Sequence, residues 1–299
     1  MKVGIVGYGR RAHYFIEQAI KQKDNIILLS NHFLARQHTE FTVCSGMSDF
    51  IGQKPDIGII TSADSQHFEQ ALVLIKNQIP LLIEKPSSAS SEQIEILSAM
   101  AQKYKTPVYV GYNYRACPIY QQVKEMQLDL AEVIKVDCYI AADVFKSLTQ
   151  TDKLFLNVGC HYVDAINQIF NYPSWHICNS IMRKENNREK AGQVSILLNN
   201  FVPLSISFNF QAECFPEIFE SSIFIQTARN TLVLTRNSLK IIEGKKVKEY
   251  NEAQSPIYKA FLQNIKSGKN NYLCTLTEDM LNIQIIENIY GVTTYTGEV

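Results

Sequence analysis

The chain has 299 residues, enough for two domains that each bury a hydrophobic core. Its 29 basic and 29 acidic residues give a formal net charge of zero, which argues against electrostatic binding to nucleic acid or to an anionic membrane. Seven cysteines occur without a CxxC pair, so we predict neither a disulfide framework nor a metal site. The first residues do not have the pattern of a signal peptide, and no apolar stretch approaches the ~20 residues of a membrane helix. These features predict a soluble, cytoplasmic protein.

Short apolar runs alternate with helical patterns in the first third of the chain. Strands are predicted at residues 3–6, 26–30, 56–62, 80–84 and 107–112. Their near-continuous hydrophobicity is typical of strands that are covered on both faces. Helical spacing lies between them, for example at Phe68, Ala71, Leu72 and Ile75. The alternation predicts an α/β domain with a doubly wound parallel sheet.

The pattern changes after about residue 120. Strands then follow one another with short turns, at residues 132–140, 193–200, 203–210, 221–228, 231–236 and 239–244. Consecutive strands with such short connections predict a mainly antiparallel sheet. Two helices are predicted near the end, at about 256–266 and 276–290. We therefore predict an α/β domain over residues 1–117 and an α+β domain over 118–299.

The first predicted strand is followed directly by GYGRRA, residues 7–12, which opens a helical segment. This order matches the GxGxxA form of the dinucleotide-binding fingerprint of a Rossmann domain. Gly7 allows a tight turn, Gly9 lets the backbone approach a pyrophosphate, and the small Ala12 permits close packing of helix and strand. Glycine-rich turns also close strands for structural reasons alone, but the position between strand and helix favours binding. We predict NAD(P) as the cofactor, bound by Gly7, Tyr8, Gly9, Arg10 and Arg11.

The end of the second predicted strand bears on the choice between NAD and NADP. An acidic residue usually stands there to bind the ribose 2′-hydroxyl, whereas this chain has Ser30, Asn31 and His32. A 2′-phosphate would meet less repulsion, and Arg10 or Arg11 could pair with it. NADP is therefore slightly favoured over NAD, although Asn31 could also bind a bare hydroxyl.

Residues 84–86 read Glu-Lys-Pro and follow the predicted strand at 80–84. In a doubly wound sheet, ligands bind outside the carboxyl ends of the strands, so Glu84 and Lys85 are delivered to the cofactor side. Pro86 restricts Lys85 to extended geometry and permits a cis Lys85–Pro86 bond. The alternative is a surface ion pair at the start of a loop. The position of Glu84 and Lys85 at the end of a strand favours a functional role.

A predicted helix at about 156–167 places Asn157, His161 and Asp164 on one face. Histidine is suited to moving a proton at a hydroxyl or a ketone, and Asp164 could hold the imidazole ring in one tautomer. The alternative is a capping Asn157, with His161 and Asp164 engaged in local packing.

These motifs together resemble those of the Gfo/Idh/MocA family, the glucose–fructose oxidoreductase and inositol dehydrogenase family. The similarity runs in order along most of the chain, through residues 7–12, 62–67, 84–86, 111–115 and 157–164. It implies an N-terminal NAD(P)-binding Rossmann domain and a C-terminal domain whose open-faced antiparallel sheet contributes to the substrate site and to the oligomer. We accordingly expect a homodimer or a homotetramer.

The resemblance also implies roles for individual residues. Lys85 would lie near the nicotinamide and the reacting carbon, Glu84 would place the nicotinamide ribose, and His161 would be the general acid or base. The remaining candidates are Ser62 and His67 in the cofactor cleft, and Asn113 and Arg115 on the cofactor or substrate side.

Asn157 departs from the family, which commonly has aspartate at this position. Because asparagine cannot take up or release a proton, Lys85 or His161 would carry that chemistry alone. The predicted function is an NAD(P)-dependent oxidoreductase that transfers hydride to or from a secondary alcohol or ketone of a sugar, cyclitol or nucleotide sugar. Two alternatives stay open: a non-catalytic NAD(P)-binding regulator of the same fold, and a reductase of an unsaturated or imine bond in a non-sugar substrate.

Overall fold

The computed structural model describes residues 1–32, 40–144, 151–211, 221–252, 257–270 and 272–297. The α-helices are α1 (Arg10–Lys21), α2 (Met47–Gly52), α3 (Asp64–Lys76), α4 (Ser91–Tyr104), α5 (Pro118–Glu125), α6 (Cys160–Ile169), α7 (Ile257–Ser267) and α8 (Leu276–Gly291). The strands are β1 (Lys2–Val6), β2 (Asn25–Leu29), β3 (Thr42–Cys44), β4 (Ile57–Ile60), β5 (Leu81–Ile83), β6 (Val108–Val110), β7 (Val133–Ala141), β8 (Trp175–Glu185), β9 (Arg188–Leu198), β10 (Val202–Asn209), β11 (Ser222–Thr227), β12 (Thr231–Leu234), β13 (Ser238–Glu243), β14 (Lys246–Asn251), β15 (Cys274–Thr275) and β16 (Thr293–Thr296).

The chain forms two compact units. The first contains Met1–Tyr112 and Pro256–Leu281, and the second contains Asn113–Ser255 and Asn282–Val299. The first unit thus ends five residues before the predicted boundary after residue 117, and a later segment returns to it. Apart from this returning segment, the α/β elements come first along the chain and the α+β elements follow.

A seven-stranded sheet forms the centre of the first unit, in the order β15-β6-β5-β4-β1-β2-β3. β1 to β6 pair in parallel, and β15 adds to β6 in the antiparallel direction. All four residues of β4 and all three of β5 are buried, as expected where helices cover both faces. The chain reverses its winding direction between β1 and β4, and this is the switch point at which such sheets bind ligands. The predicted doubly wound sheet is confirmed.

Tyr258 attaches the returning segment to the first unit. Its hydroxyl donates a hydrogen bond of 2.7 Å to Oδ2 of Asp24, whose Oδ1 accepts one of 3.0 Å from the amino terminus at Met1. The Tyr258 ring also meets the ring of Phe15 edge to face, at 6.4 Å between centroids. Sequence patterns do not reveal this return, because the pairing partners are more than 200 residues apart along the chain.

The second unit is built on a nine-stranded sheet with the order β14-β13-β12-β11-β7-β10-β9-β8-β16. Pairing is antiparallel except between β10 and β7 and between β16 and β8. Along β10 the buried residues Val202, Leu204, Ile206 and Phe208 alternate with more exposed ones. One face of the sheet is therefore covered more fully than the other, and the predicted α+β domain with a mainly antiparallel sheet is confirmed.

Several strands were not predicted from the sequence. β8 is 11 residues long and pairs along β9, but its polar and apolar residues do not alternate cleanly. All six residues of β14 are exposed, so this strand offers no apolar periodicity to detect. Pairing with a neighbouring strand stabilises both, and such tertiary pairing overrides a weak local pattern.

The cysteines in the described part of the chain are free thiols, namely Cys44, Cys117, Cys138, Cys160, Cys178 and Cys274; Cys214 lies outside it. Among the described residues, no helix combines the length and apolar character needed to cross a membrane.

We predict that Tyr258→Phe lowers the free energy of unfolding by about 1.5 kcal/mol, because the charged carboxylate of Asp24 loses the hydrogen bond that the Tyr258 hydroxyl donates. Urea denaturation measures this effect, and Tyr250→Phe, in the exposed strand β14, is the matched control. A loss no larger than that of the control would contradict the attachment of the returning segment through Tyr258.

Candidate functional site

The turn after β1 requires glycine at its first position. Gly7 has φ +103°, and its N–H donates a hydrogen bond of 3.0 Å to the carbonyl of Leu29. A Cβ at this position would lie 2.9 Å from the backbone nitrogen of Ser62, the residue that follows β4 by two positions. Any side chain would therefore strain the turn and clash with the neighbouring loop.

The start of α1 fits the pyrophosphate of a dinucleotide. Gly9 is the N-cap of this helix, and a Cβ built on it would meet no atom within 4 Å. The first turn contains no acidic residue, while Ala12 is fully buried against the sheet. An open helix amino terminus with unsatisfied N–H groups is suited to an anion, so the residues present fit this part of the cofactor.

The side chains beside this turn are Tyr8, His32, Arg10 and Asn31. The Tyr8 ring lies 5.6 Å from that of His32 and 4.6 Å from that of His13, between centroids. Arg10 and Asn31 are exposed. No carboxylate is found among residues 30–32, which is the position that usually carries one for a ribose 2′-hydroxyl.

Arg11 is turned toward Glu84. Its Nε and Nη2 lie 2.7 and 2.5 Å from Oε1 of Glu84, and the Glu84 side chain is only 8% exposed. The guanidinium also lies over the rings of Tyr14 and Phe15, at 4.9 and 5.2 Å from their centroids. Arg10 and Arg11 were both predicted as possible partners of a 2′-phosphate. Because the guanidinium of Arg11 pairs with Glu84, Arg10 is the better candidate for that role.

The backbone around Lys85 is held by His67. Lys85 is half-buried and precedes a cis bond to Pro86. His67 is 1% exposed; its Nδ1 lies 2.8 Å from the carbonyl oxygen of Pro86, and its Nε2 lies 3.1 Å from that of Ser62. The Ser62 hydroxyl donates a hydrogen bond of 2.6 Å to Gln70. Ser62 and His67 were both predicted to line the cofactor cleft. Ser62 lies in the loop after β4, and His67 contacts this loop and the loop after β5, so that it joins the two.

Asp279 is a buried carboxylate that binds Ser87 in the same segment. It accepts hydrogen bonds from the hydroxyl of Ser87 and, at 2.6 Å, from that of Tyr112. Asp279 is fully buried in the first turns of α8. The sequence marks it only as an acidic residue near a helix start, so its connection to residues 84–88 was not predicted.

In the second unit, the helix predicted over 156–167 begins with a π-helix, Phe155–Gly159. Asn157 lies in this π-helix and is 9% exposed, whereas His161 is half-buried in the first turn of α6. A Cβ on Gly159 would lie 2.8 Å from the buried ring of Phe155. Turns of π-helix within α-helices are frequent at functional sites.

An aromatic cluster adjoins His161. The ring of Tyr114 lies 5.4 Å from the imidazole, between centroids, and stacks on the ring of Tyr120 at 4.8 Å. The hydroxyls of Tyr114 and Tyr162 are 3.3 Å apart, and burial raises the pKa of both. These phenols consequently remain protonated at neutral pH and act as hydrogen-bonding groups.

Arg115 and Asp164 form a buried ion pair. Arg115 Nε lies 3.0 Å from both carboxylate oxygens of Asp164, and Nη2 lies 2.6 Å from Oδ1. Oδ1 also accepts a hydrogen bond of 2.7 Å from Asn282, and Arg115 donates one of 2.8 Å to Tyr172. The two side chains are 3% and 1% exposed. This engagement favours a positioning role for Arg115 and Asp164, while catalytic and substrate-binding roles stay predictions.

Asn113 starts the 3₁₀-helix Asn113–Ala116, which also contains Arg115. Its Oδ1 is buried and has no hydrogen-bond partner among the described residues. A buried amide oxygen without a donor is costly, so the atom is well suited to accept a hydrogen bond from a ligand.

Glu189 and Tyr290 cap the π-helix. Oε2 of Glu189 accepts hydrogen bonds from the N–H of Phe155, at 2.7 Å, and from the hydroxyl of Tyr290, at 3.2 Å. The Tyr290 oxygen accepts the N–H of Leu156 at 3.0 Å. Glu189 is 1% exposed on β9, and Tyr290 lies on α8. Neither residue was predicted, because nothing in a strand pattern marks a residue as the cap of a distant helix.

Comparison with known proteins identifies the first unit. Residues 1–112 match the model of the Gfo/Idh/MocA family, described as an oxidoreductase family with an NAD-binding Rossmann fold. The resemblance predicted from the motifs is therefore confirmed, and with it an NAD(P)-binding type of Rossmann domain.

Two curated relatives match part of the chain. The myo-inositol dehydrogenase Hyg17 of Streptomyces leeuwenhoekii is 23% identical over 140 residues, which are 44% of this chain and 42% of the relative. The YteT protein of Bacillus subtilis is 26% identical over 126 residues, which are 38% of this chain and 29% of that protein. The matches thus extend over less than half of either relative.

Solved structures match nearly the whole chain. A UDP-N-acetylglucosamine 3-dehydrogenase from Acidithiobacillus ferrooxidans has a TM-score of 0.84 at 14% identity, with 98% of this chain and 97% of that one covered. The 3-ketoreductase KijD10 from Actinomadura kijaniata, in a complex with NADP and TDP-benzene, has a TM-score of 0.82 at 13% identity, with 99% of both chains covered. These similarities show that each of the two units has the fold of the corresponding part of those structures.

We predict that Arg115→Leu lowers the free energy of unfolding by about 3–5 kcal/mol, because Asp164 would remain as a buried charge without its counter-ion. Urea denaturation at neutral pH measures the loss. Arg229→Leu, at an exposed turn, is the control. The double variant Arg115→Leu/Asp164→Leu should cost less than the sum of the two single variants. Additive losses would contradict the coupling of this pair.

Proposed function

We propose that this protein is an NAD(P)-dependent oxidoreductase that acts on a CH–OH group of a sugar, a cyclitol or a nucleotide sugar. The proposal is carried by the way Lys85 is held beside the dinucleotide turn. His67 joins the residues around Lys85 to Ser62, and Ser62 adjoins Gly7. A half-buried lysine at the carboxyl edge of a Rossmann sheet, one strand from the switch point, is well placed to act on a bound ligand.

The cofactor would be held at the amino end of α1. Gly7 permits the tight turn, Gly9 leaves room for the pyrophosphate, and Tyr8 and Asn31 would flank the adenosine side. Glu84, next to Lys85, is the candidate for the nicotinamide ribose. The bound nicotinamide supplies the hydride chemistry, and the protein supplies position and electrostatics.

We favour NADP over NAD for this chain. The missing carboxylate at residues 30–32 and the exposed Arg10 both suit a 2′-phosphate, to which arginine can bind with two hydrogen bonds. Arg11 contributes less directly than the sequence suggests, because it pairs with Glu84. The solved complex of KijD10 with NADP is consistent with this choice.

Proton transfer is assigned to Lys85 and His161. As a cation, Lys85 stabilises negative charge that develops on the substrate oxygen, and either side chain can exchange the hydroxyl proton. Asn157 cannot take part in proton transfer, so its amide is assigned to orienting substrate. Asp164 and Arg115 are assigned to fixing α6, which carries His161.

The substrate class rests on relatives of similar sequence or fold. Their names give myo-inositol, UDP-N-acetylglucosamine and a 3-keto group as the targets of those proteins. Asn113 supports a polar ligand here, since its buried Oδ1 calls for a donor such as a hydroxyl or an amide.

The expected homo-oligomer would form through the nine-stranded sheet. Its strands carry exposed apolar side chains, which include Ile134, Ile181, Phe224 and Val247. Exposed apolar groups on a sheet favour burial against a second copy of the chain.

We predict that the protein reduces NAD or NADP in the presence of myo-inositol or UDP-N-acetylglucosamine. The absorbance of the reduced nicotinamide measures this reaction. Lys85→Ala should lower kcat by roughly 100-fold or more, because it removes a group that acts in the transition state, while cofactor affinity changes little. Lys76→Ala, at the exposed end of α3, is the control.

A Lys85→Ala variant with the same kcat as wild type would contradict the role of Lys85. Cofactor binding without turnover of any polyol, ketose or nucleotide sugar would instead favour the non-catalytic regulator.

A further inference from the structure

The cap of the π-helix is assembled from elements far apart in the chain. Phe155 and Leu156 contribute the first N–H groups of this helix, which have no acceptor within it. Glu189 and Tyr290 accept them, and the Tyr290 hydroxyl donates to Glu189, so the acceptors form one connected unit. The backbone of Glu189 strengthens the connection, because its N–H donates to the carbonyl of Asp152 at 3.2 Å.

Glu189 lies in a setting that changes its ionisation. Burial raises the pKa of Glu189 to about 7, although the hydrogen bonds from Phe155 and Tyr290 favour the carboxylate. The charged and titratable groups that face this cap come from four elements: Lys184 on β8, Asp152 and Lys153 before the π-helix, Tyr290 on α8 and Tyr295 on β16.

We propose that Glu189, acting directly at Phe155 and through Tyr290 at Leu156, is a positioning residue that holds the π-helix carrying Asn157, and that its change of charge alters the geometry of this turn. The inference rests on the proposed function, because Asn157 and the adjoining His161 matter through their part in that chemistry. The carboxylate accepts both hydrogen bonds more strongly than the neutral acid, so the charged form fixes the turn. The helix amino end also favours a negative charge.

The effect of pH on stability has a definite sign. The pKa of Glu189 is raised in the folded protein above the ordinary value of 4.5. The stability that Glu189 contributes is therefore fully present below pH 4.5 and is lost as the pH rises through about 7. The π-helix, in contrast, becomes better ordered as the pH rises. The Glu189 carboxylate lowers global stability, but it is the form that caps this turn.

The test compares wild type with Glu189→Gln, which keeps the side-chain shape and an acceptor oxygen but removes the charge. Backbone amide chemical shifts of Phe155 and Leu156 are followed by NMR from about pH 5 to about pH 9. Wild type should show a titration with its midpoint near 7, and Glu189→Gln should show none. Glu185→Gln is the matched control, because Glu185 lies in the same hairpin and binds Lys190 rather than the π-helix.

A second measurement connects the cap to activity. With UDP-N-acetylglucosamine or myo-inositol as substrate, Glu189→Gln should lower kcat at about pH 8 by roughly tenfold, while KM changes little, because a small displacement of catalytic groups slows the chemical step. The control variant should retain the wild-type pH profile.

The two measurements separate the possible failures. Flat amide shifts in wild type would overturn the inference even if the enzyme turns over. A titration near 7 that leaves the kcat profile of Glu189→Gln identical to that of the control would also overturn it. If wild type turns over neither substrate, the proposed function fails, whereas the amide titration still decides whether the charge of Glu189 alters the π-helix.

Discussion

The short segment after β5 is the feature on which the candidate chemistry of this protein depends. Three independent contacts hold this segment: the Arg11 ion pair with the Glu84 side chain, the His67 ring at the Pro86 carbonyl, and the Asp279 carboxylate at the Ser87 hydroxyl. Lys85 lies in the middle of these contacts. Because its neighbours cannot shift independently, the flexible lysine side chain starts from a fixed point, and less conformational entropy is lost when it acts on a ligand.

The second unit uses buried charges in a different way. Arg115 and Asp164 neutralise each other within the interior and tie α6 to the 3₁₀-helix at residues 113–116. Such a pair adds little net stability compared with apolar residues, but breaking it is costly, so it specifies one arrangement of the helix. Glu189 has no cationic partner of this kind within hydrogen-bonding distance among the described residues, and its ionisation therefore remains adjustable.

Local patterns predicted most of the first unit. The strands of the parallel sheet follow from their hydrophobic runs, and the turn after β1 follows from the spacing of its glycines. Family resemblance then pointed to Lys85 and His161. What the sequence could not reveal depends on contacts between distant residues. Asp279 and the return of residues 256–281 belong to this group.

The spacing argument for the second unit was correct about the helix and incomplete about its geometry. Asn157 and His161 were placed one turn apart in an α-helix, whereas Asn157 lies in a π-helix with a wider turn. Glycine at 159 and the cap from Glu189 belong to that turn. Helical spacing suggested that Asp164 could hold the imidazole ring of His161. The pairing of Asp164 with Arg115 is a tertiary contact that this spacing could not predict.

Binding of the nicotinamide cofactor tests the central claim most directly. The purified protein would be titrated with NADPH and with NADH, and binding would be followed by nicotinamide fluorescence. We predict a dissociation constant in the micromolar range, or about −8 kcal/mol, that is lower for NADPH than for NADH, with the difference reduced in Arg10→Ala. If neither cofactor binds, the oxidoreductase function is wrong, and Lys85 has no hydride chemistry to serve.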